Sequence, residues 1–152
     1  MNAHYVLTTD HFQFYLADEN FGADTSSLWN KQAMENMLAA DSDIISVGTV
    51  RFGGRTNVFI EVRSVPAVYS TENWSRVVEC SIKTSSGVFM LFAPESNYDD
   101  TPRIKVEPGV YSVLVLYENL ESVADEMAQT GDDIYHLLLW PGEFREIVVK
   151  KS

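Results

Sequence analysis

Asp132, Asp133 and His136 place two carboxylates and an imidazole within five residues, a grouping that can ligate a metal ion or pass a proton between acid and base. Alternation along 134–140 puts His136 on one strand face with Ile134, Leu138 and Trp140, which reads as a half-buried structural histidine. Asp41-x-Asp43 and Asp99-Asp100 are the other close carboxylate pairs. A hard cation such as calcium takes roughly six to eight oxygen ligands, and neither pair sits in a calcium-loop spacing. The residues therefore assign no metal.

Covalent chemistry finds less support. Cys80 alternates between Glu79 and Ser81 in a strand-like run, where a free cysteine behaves as a small buried hydrophobe. No Gly-x-Ser-x-Gly elbow occurs, and His4, His11 and His136 have no nucleophile at motif spacing. Gly53-Gly54 lacks the lysine and following helix of a phosphate-binding loop. No catalytic residue and no cofactor are expected, and the chain reads as a binder. A hydrolase site assembled from residues distant in sequence is the reading that spacing alone leaves open.

Charge supports binding. The chain carries 22 acidic and 11 basic side chains, a net charge of -11, and such a field repels nucleic acid and attracts a basic protein or a cation. The acids are uneven: residues 93–133 hold ten acids and two bases, while residues 51–92 hold three acids and five bases. Asp99, Asp100, Glu118, Glu121, Asp125, Glu126, Asp132 and Asp133 are the candidate partner-binding acids. Tyr117 and Tyr135 border them and would add aromatic anchoring. The remaining aromatics, Trp29, Trp74, Trp140, Tyr98 and Tyr111, are core or contact residues by the same reasoning.

These side chains need a scaffold, and 152 residues suit one compact domain with a single core. The lone Cys80 cannot form an internal disulfide, no basic and apolar leader opens the chain, and no run approaches the roughly 20 apolar residues of a membrane span. A cytoplasmic location is expected, with no membrane partner.

Period-two alternation marks strands along most of the chain. His4 to Thr8 and His11 to Ala17 flank Thr9-Asp10 and predict an opening hairpin. Ile44 to Arg51 and Thr56 to Arg63 flank Phe52-Gly53-Gly54-Arg55 and predict a second, since Gly-Gly supplies the positive φ of a tight turn. Trp74 to Thr84 and Val88 to Phe92 flank Ser85-Ser86-Gly87 and predict a third. Arg103 to Val106, Val110 to Tyr117, Ile134 to Trp140 and Phe144 to Lys150 complete about nine strands. Trp29, Ala33, Met37 and Ala40 recur at helical spacing, with Asn30 as N-cap. The segment Glu118 to Asp133 admits a short helical turn or a loop. The pattern predicts an antiparallel β-sandwich with one short helix.

With these pieces placed, the order of features resembles the competence protein J family, whose known role is inhibiting a DNA-entry nuclease. The likeness is carried by Trp29 leading a short helix through Ala39-Ala40-Asp41, the strand Ile44-Ile45-Ser46-Val47, the alternating Val58-Phe59-Ile60-Glu61-Val62, and the turn Pro108-Gly109-Val110-Tyr111. The run from Gly131 to Pro141 looks like that of small bacterial β proteins of unassigned function. The resemblance implies a β-sandwich and an inhibitor, and carries no individual inhibitory residue with it. This chain departs from it by a longer acidic segment, Glu118 to Asp133. The function expected is thus a non-catalytic acidic binder, a nuclease inhibitor or immunity-type protein with a basic nuclease or toxin as partner. The alternative is a cation- or small-ligand-binding module.

Overall fold

The computed structural model describes all 152 residues and contains eleven strands, one short α-helix and three 3₁₀ turns. In chain order the strands are β1 (Asn2–Thr9), β2 (Gln13–Asp18), β3 (Leu38–Asp41), β4 (Ile44–Gly48), β5 (Gly54–Val62), β6 (Arg76–Thr84), β7 (Val88–Phe92), β8 (Arg103–Lys105), β9 (Gly109–Glu118), β10 (Ile134–Pro141) and β11 (Val148–Lys151), with helix α1 (Lys31–Asn36) before β3. A six-stranded sheet runs β1-β5-β10-β9-β6-β11, and a five-stranded sheet runs β3-β4-β2-β7-β8. All pairings are antiparallel except β5 with β10. No helix is long and apolar enough to cross a membrane.

The sandwich core follows from alternation, because successive strand residues point to opposite faces. Val58 and Ile60, Val113, Val115 and Tyr117, and Tyr135, Leu137 and Leu139 meet Phe14, Leu16, Ile45, Val47 and Leu91 in one cluster of 21 buried residues. Cys80 belongs to it, and burial pushes its thiol up to about 12. The outer faces are covered in part by connections: Ala67, Tyr69 and Trp74 lie over Leu114, Leu116 and Trp140, and Phe21 and Leu28 lie over Tyr15 and Phe92.

The three expected hairpins are all crossings from one sheet to the other. β1 pairs with β5, not with β2, and only an Asp10–Gln13 bridge joins the two segments. β4 and β5 lie in different sheets, as do β6 and β7. At the second crossing the glycines answer close packing: a side chain on Gly53 would meet the Thr9 carbonyl oxygen at 2.4 Å, and one on Gly54 the Gln129 carbonyl oxygen at 2.4 Å. The helix is shorter than its sequence stripe. Asn30 Oδ1 accepts from Ala33 N–H at 2.8 Å as the expected cap, but Met37 turns left-handed (φ 55°) and Leu38–Asp41 becomes strand, so Ala40 is not helical. Within Glu118 to Asp133 the helical spacing yields one 3₁₀ turn, Leu120–Ser122.

A buried ion pair fastens the crossing between β4 and β5. Arg51 is 1% exposed and Asp133 0%, with Arg51 Nε 2.7 Å from Asp133 Oδ1. Arg51 Nη1 donates to the carbonyls of Gly53 (3.0 Å) and Ala128 (3.3 Å), and Nη2 to the Arg55 carbonyl (2.8 Å) and Thr56 Oγ1 (3.4 Å). These bonds use all five guanidinium donors. Tyr135 donates its hydroxyl proton to Asp133 Oδ2 at 2.9 Å and accepts from Val50 N–H at 2.9 Å.

A second polar cluster ties β2 to the crossing between β6 and β7. Asp18 accepts from the hydroxyls of Thr84 and Ser86 and from the N–H groups of Ser86 and Asn20. Burial pushes its carboxyl up, but the bonds from Ser86, Thr84 and Asn20 outweigh this and hold it below its ordinary 3.8.

Asp133→Asn should cost about 3–5 kcal/mol, the usual penalty for removing one partner of a buried pair, read as a lower urea midpoint. Arg51→Met with Asp133→Leu should not recover the loss, because the carbonyls of Gly53, Arg55 and Ala128 stay without donors; full recovery would show that those bonds contribute nothing. For Asp18, a carboxyl lower in the folded state contributes stability above pH 4 that is lost as pH falls through its lowered pKa. Wild type should therefore lose stability more steeply than Asp18→Asn between pH 4 and pH 2; parallel curves would refute the assignment.

Candidate functional site

A concavity lies between the free edge of β1 and the connection from β7 to β8. Residues 5–10 form one wall, residues 95–97 and 100–102 the other, and Phe52, Gly53, Gly54 and Gln129 close one end. Its volume is about 690 Å³. Asp10, Glu95 and Asp100 contribute carboxylates, and no Lys or Arg lines it.

Local structure sets these groups in place. β1 ends at Thr9, whose hydroxyl meets that of Thr56 at 2.8 Å, and the chain turns through His11 (φ 53°) and Phe12 (φ 60°). Two consecutive non-glycine residues in the left-handed region are uncommon. Their turn is held by Phe12 N–H to the Phe52 carbonyl and Thr49 N–H to the Phe12 carbonyl, both 2.8 Å. His11 and Phe12 each meet Phe52 edge-on at 5.4 Å. On the opposite wall, Asn97 caps the 3₁₀ turn Tyr98–Asp100 by accepting from Asp99 N–H at 3.1 Å.

Asp10 joins the walls. Its Oδ2 accepts from Glu95 N–H at 3.2 Å, while its Oδ1 is buried with no partner. Burial holds its carboxyl above the ordinary value, against the pull of the Glu95 N–H bond and the His11 imidazole, and the Glu95 charge adds to the rise. His11 Nε2 lies 4.0 Å from Glu95 Oε1 in an exposed pair. Ligand atoms of Asp10, His11 and Glu95 fall within 4.8 Å of one another, so a transition-metal ion would find three donors here and need water for the rest of its shell. The same oxygens suit an ammonium or guanidinium group, which also needs acceptors but no fixed coordination number.

The acids singled out in the sequence divide into three groups. Asp100 lines the groove, with Asp99 exposed beside it on the same turn. Glu126 is held at the groove's end by Phe52 N–H to its carbonyl at 2.7 Å, and Asp125 and Asp132 are exposed on the same connection. Glu118 and Glu121 point elsewhere: Glu118 Oε2 is 3.2 Å from His136 Nε2, and Glu121 Oε2 accepts from the Ser75 hydroxyl at 2.6 Å.

Asp133, Tyr117 and Tyr135 are corrections, because all three are fully buried and none presents a surface to a partner. Asp133 is spent on Arg51, which also removes it from any site with Asp132 and His136. Tyr117 donates to the Met37 carbonyl at 2.6 Å, and burial pushes both tyrosine hydroxyls far above their ordinary range. Of the other aromatics, Trp29 donates to Gln13 Oε1 at 2.7 Å, Tyr111 is buried, and Tyr98 stays half exposed against Phe92.

Sequence reasoning missed Asp10, which sat in an apparent hairpin turn, and His11, which opened the strand read after it, and gave Glu95 no weight within its acidic loop. The only available signal was that residues 1–30 contain four acids and no Lys or Arg.

No family model matches the sequence, and no curated protein sequence matches it. Among solved structures the fold is similar to that of ComJ from Bacillus subtilis, described as an inhibitor of the DNA-degrading activity of NucA, with 14% identity and a TM-score of 0.68 over 93% of this chain and 96% of that one. It is also similar to the crocagin biosynthetic gene J product, with 16% identity and a TM-score of 0.62 over 94% and 98% of the two chains. The chain therefore has a ComJ-like fold.

Proposed function

We propose that this protein is a non-catalytic inhibitor that holds a basic protein, a DNA-degrading nuclease, against the acidic groove. The observation that carries the reading is the set Asp10, Glu95 and Asp100 in a groove without a single lining cation, on a chain of net charge -11. The exposed carboxylates of Glu95 and Asp100 are acceptors that a docked Lys or Arg would meet. The inhibitor described for the ComJ fold supports the choice of partner. Absence of catalysis is supported by the histidines, whose side-chain partners are Asn57, Glu95 and Glu118 rather than a nucleophile.

The test is a lysate of the source organism passed over immobilised protein at low salt, with the high-salt eluate assayed for DNA degradation. Re-adding wild type should suppress the eluted activity, and Glu95→Lys with Asp100→Lys should slow association at least tenfold at low salt, a difference that shrinks as salt screens the field. An eluate without DNA-degrading activity, or an activity that re-added protein leaves untouched, would sink the inhibitor reading.

A further inference from the structure

We infer that the free edge of β1 is a strand-addition site, which takes an extended segment of a protein partner bearing Lys or Arg on the side that faces the groove. The inference rests on the reading of the groove as the partner-binding surface and specifies how the partner is held.

Sheet edges expose unpaired N–H and C=O groups, and natural proteins blunt them with short strands, lysines, prolines or bulges. Three of the four edges here are blunted. β11 carries Lys150 and Lys151 and a register shift between Val149 and Lys151. β8 has three residues, two of them Arg103 and Lys105. β3 has four residues and lies against α1. β1 differs from all of them: eight residues in unbroken register with β5, with no Lys, Arg or Pro.

The register shows which backbone groups are free. Val62 N–H donates to the Met1 carbonyl at 2.9 Å and Met1 N donates to the Val62 carbonyl at 3.1 Å. Hydrogen-bonded pairs alternate along an antiparallel ladder, so Ala3, Tyr5, Leu7 and Thr9 spend their backbone groups on β5. Asn2, His4, Val6 and Thr8 point theirs outward, where no other strand pairs with them. Val6 is also 60% exposed.

The groove runs along this edge from Tyr5 to Asp10, about 20 Å of extended chain at roughly 3.4 Å per residue. A strand added there would turn alternate side chains toward Asp10, Glu95 and Asp100. That charge selects the occupant. A second copy pairing through its own β1 brings no Lys or Arg to the three carboxylates, whereas a basic segment brings one at every second residue.

The probe is the peptide acetyl-Lys-Val-Lys-Thr-Lys-Val-Lys-Thr-amide, added to the full isotope-labelled chain and followed by amide exchange. Protection of the His4, Val6 and Thr8 amides should rise at least tenfold, and the peptide N-methylated at alternate residues should give none. Val6→Pro removes one outward N–H without touching the β5 ladder and should weaken peptide binding at least tenfold. The N-methylated comparison uses wild type alone, so it stands even if the proline variant misfolds. No protection at millimolar peptide, protection mapping away from β1, equal binding of the N-methylated peptide, or a peptide-free dimer protecting the same amides would each overturn the inference. Nuclease suppression by Val6→Pro as strong as by wild type would overturn strand addition and leave the inhibitor reading intact. Peptide addition at β1 without suppression of any nuclease would support strand addition and remove that reading.

Discussion

The Arg51–Asp133 pair is the constraint on which the arrangement rests. It joins residues 82 apart in sequence, and the three carbonyls it serves belong to the crossing after β4, to the start of β5 and to the connection before β10. Desolvating two charges costs several kcal/mol per ion, and the mutual attraction offsets this only when the remaining donors and acceptors are also matched. Here they are matched: five donors find acceptors, and the second carboxylate oxygen finds Tyr135. Gly131 packs so closely over the pair that a side chain there would meet Asp133 Oδ1 at 2.6 Å.

The groove inherits its shape from that junction. Phe52, Gly53 and Gly54 follow directly on Arg51, and Gln129 follows directly on Ala128, so the residues that close the groove are covalent neighbours of groups the guanidinium holds. Thr9 and Thr56 then fix the end of β1 to the same point through their shared hydroxyl contact. A buried cation thus shapes the closed end, while the charges along the walls are the carboxylates of Asp10, Glu95 and Asp100. The interior spends its charge on geometry and the surface keeps its charge for contact.

Strands, the helix cap and the sandwich class were legible in the sequence because alternation and capping are local. Sheet membership was not. Thr9-Asp10, Phe52 to Arg55 and Ser85 to Gly87 have the composition of hairpin turns, yet each carries the chain across the core. A positive φ at Gly54 (96°) or Gly87 (76°) serves a crossing as well as a hairpin, and only the partner strands decide between them. The site was legible in part: residues 93–133 were visibly acidic, and Asp100 does line the groove. That Asp133 is neutralised inside depends on Arg51, more than half the chain away, and that Asp10 faces Glu95 depends on two sheets meeting edge to edge. Neither fact leaves a local signal.

The single parallel pairing, β5 with β10, has a kinetic meaning. It aligns Asn57 with Ile134 and Val62 with Leu139, contacts between segments about half the chain apart, and such contacts form slowly because loop closure precedes any gain from them. Until β10 arrives, β5 has a bare flank and Arg51 lacks its counter-ion, so a nascent or C-terminally cleaved chain displays an open apolar strand and an unmatched buried charge together. Closure of the six-stranded sheet therefore waits on the one stretch that delivers Asp133 together with β10, the strand that joins β5 to β9.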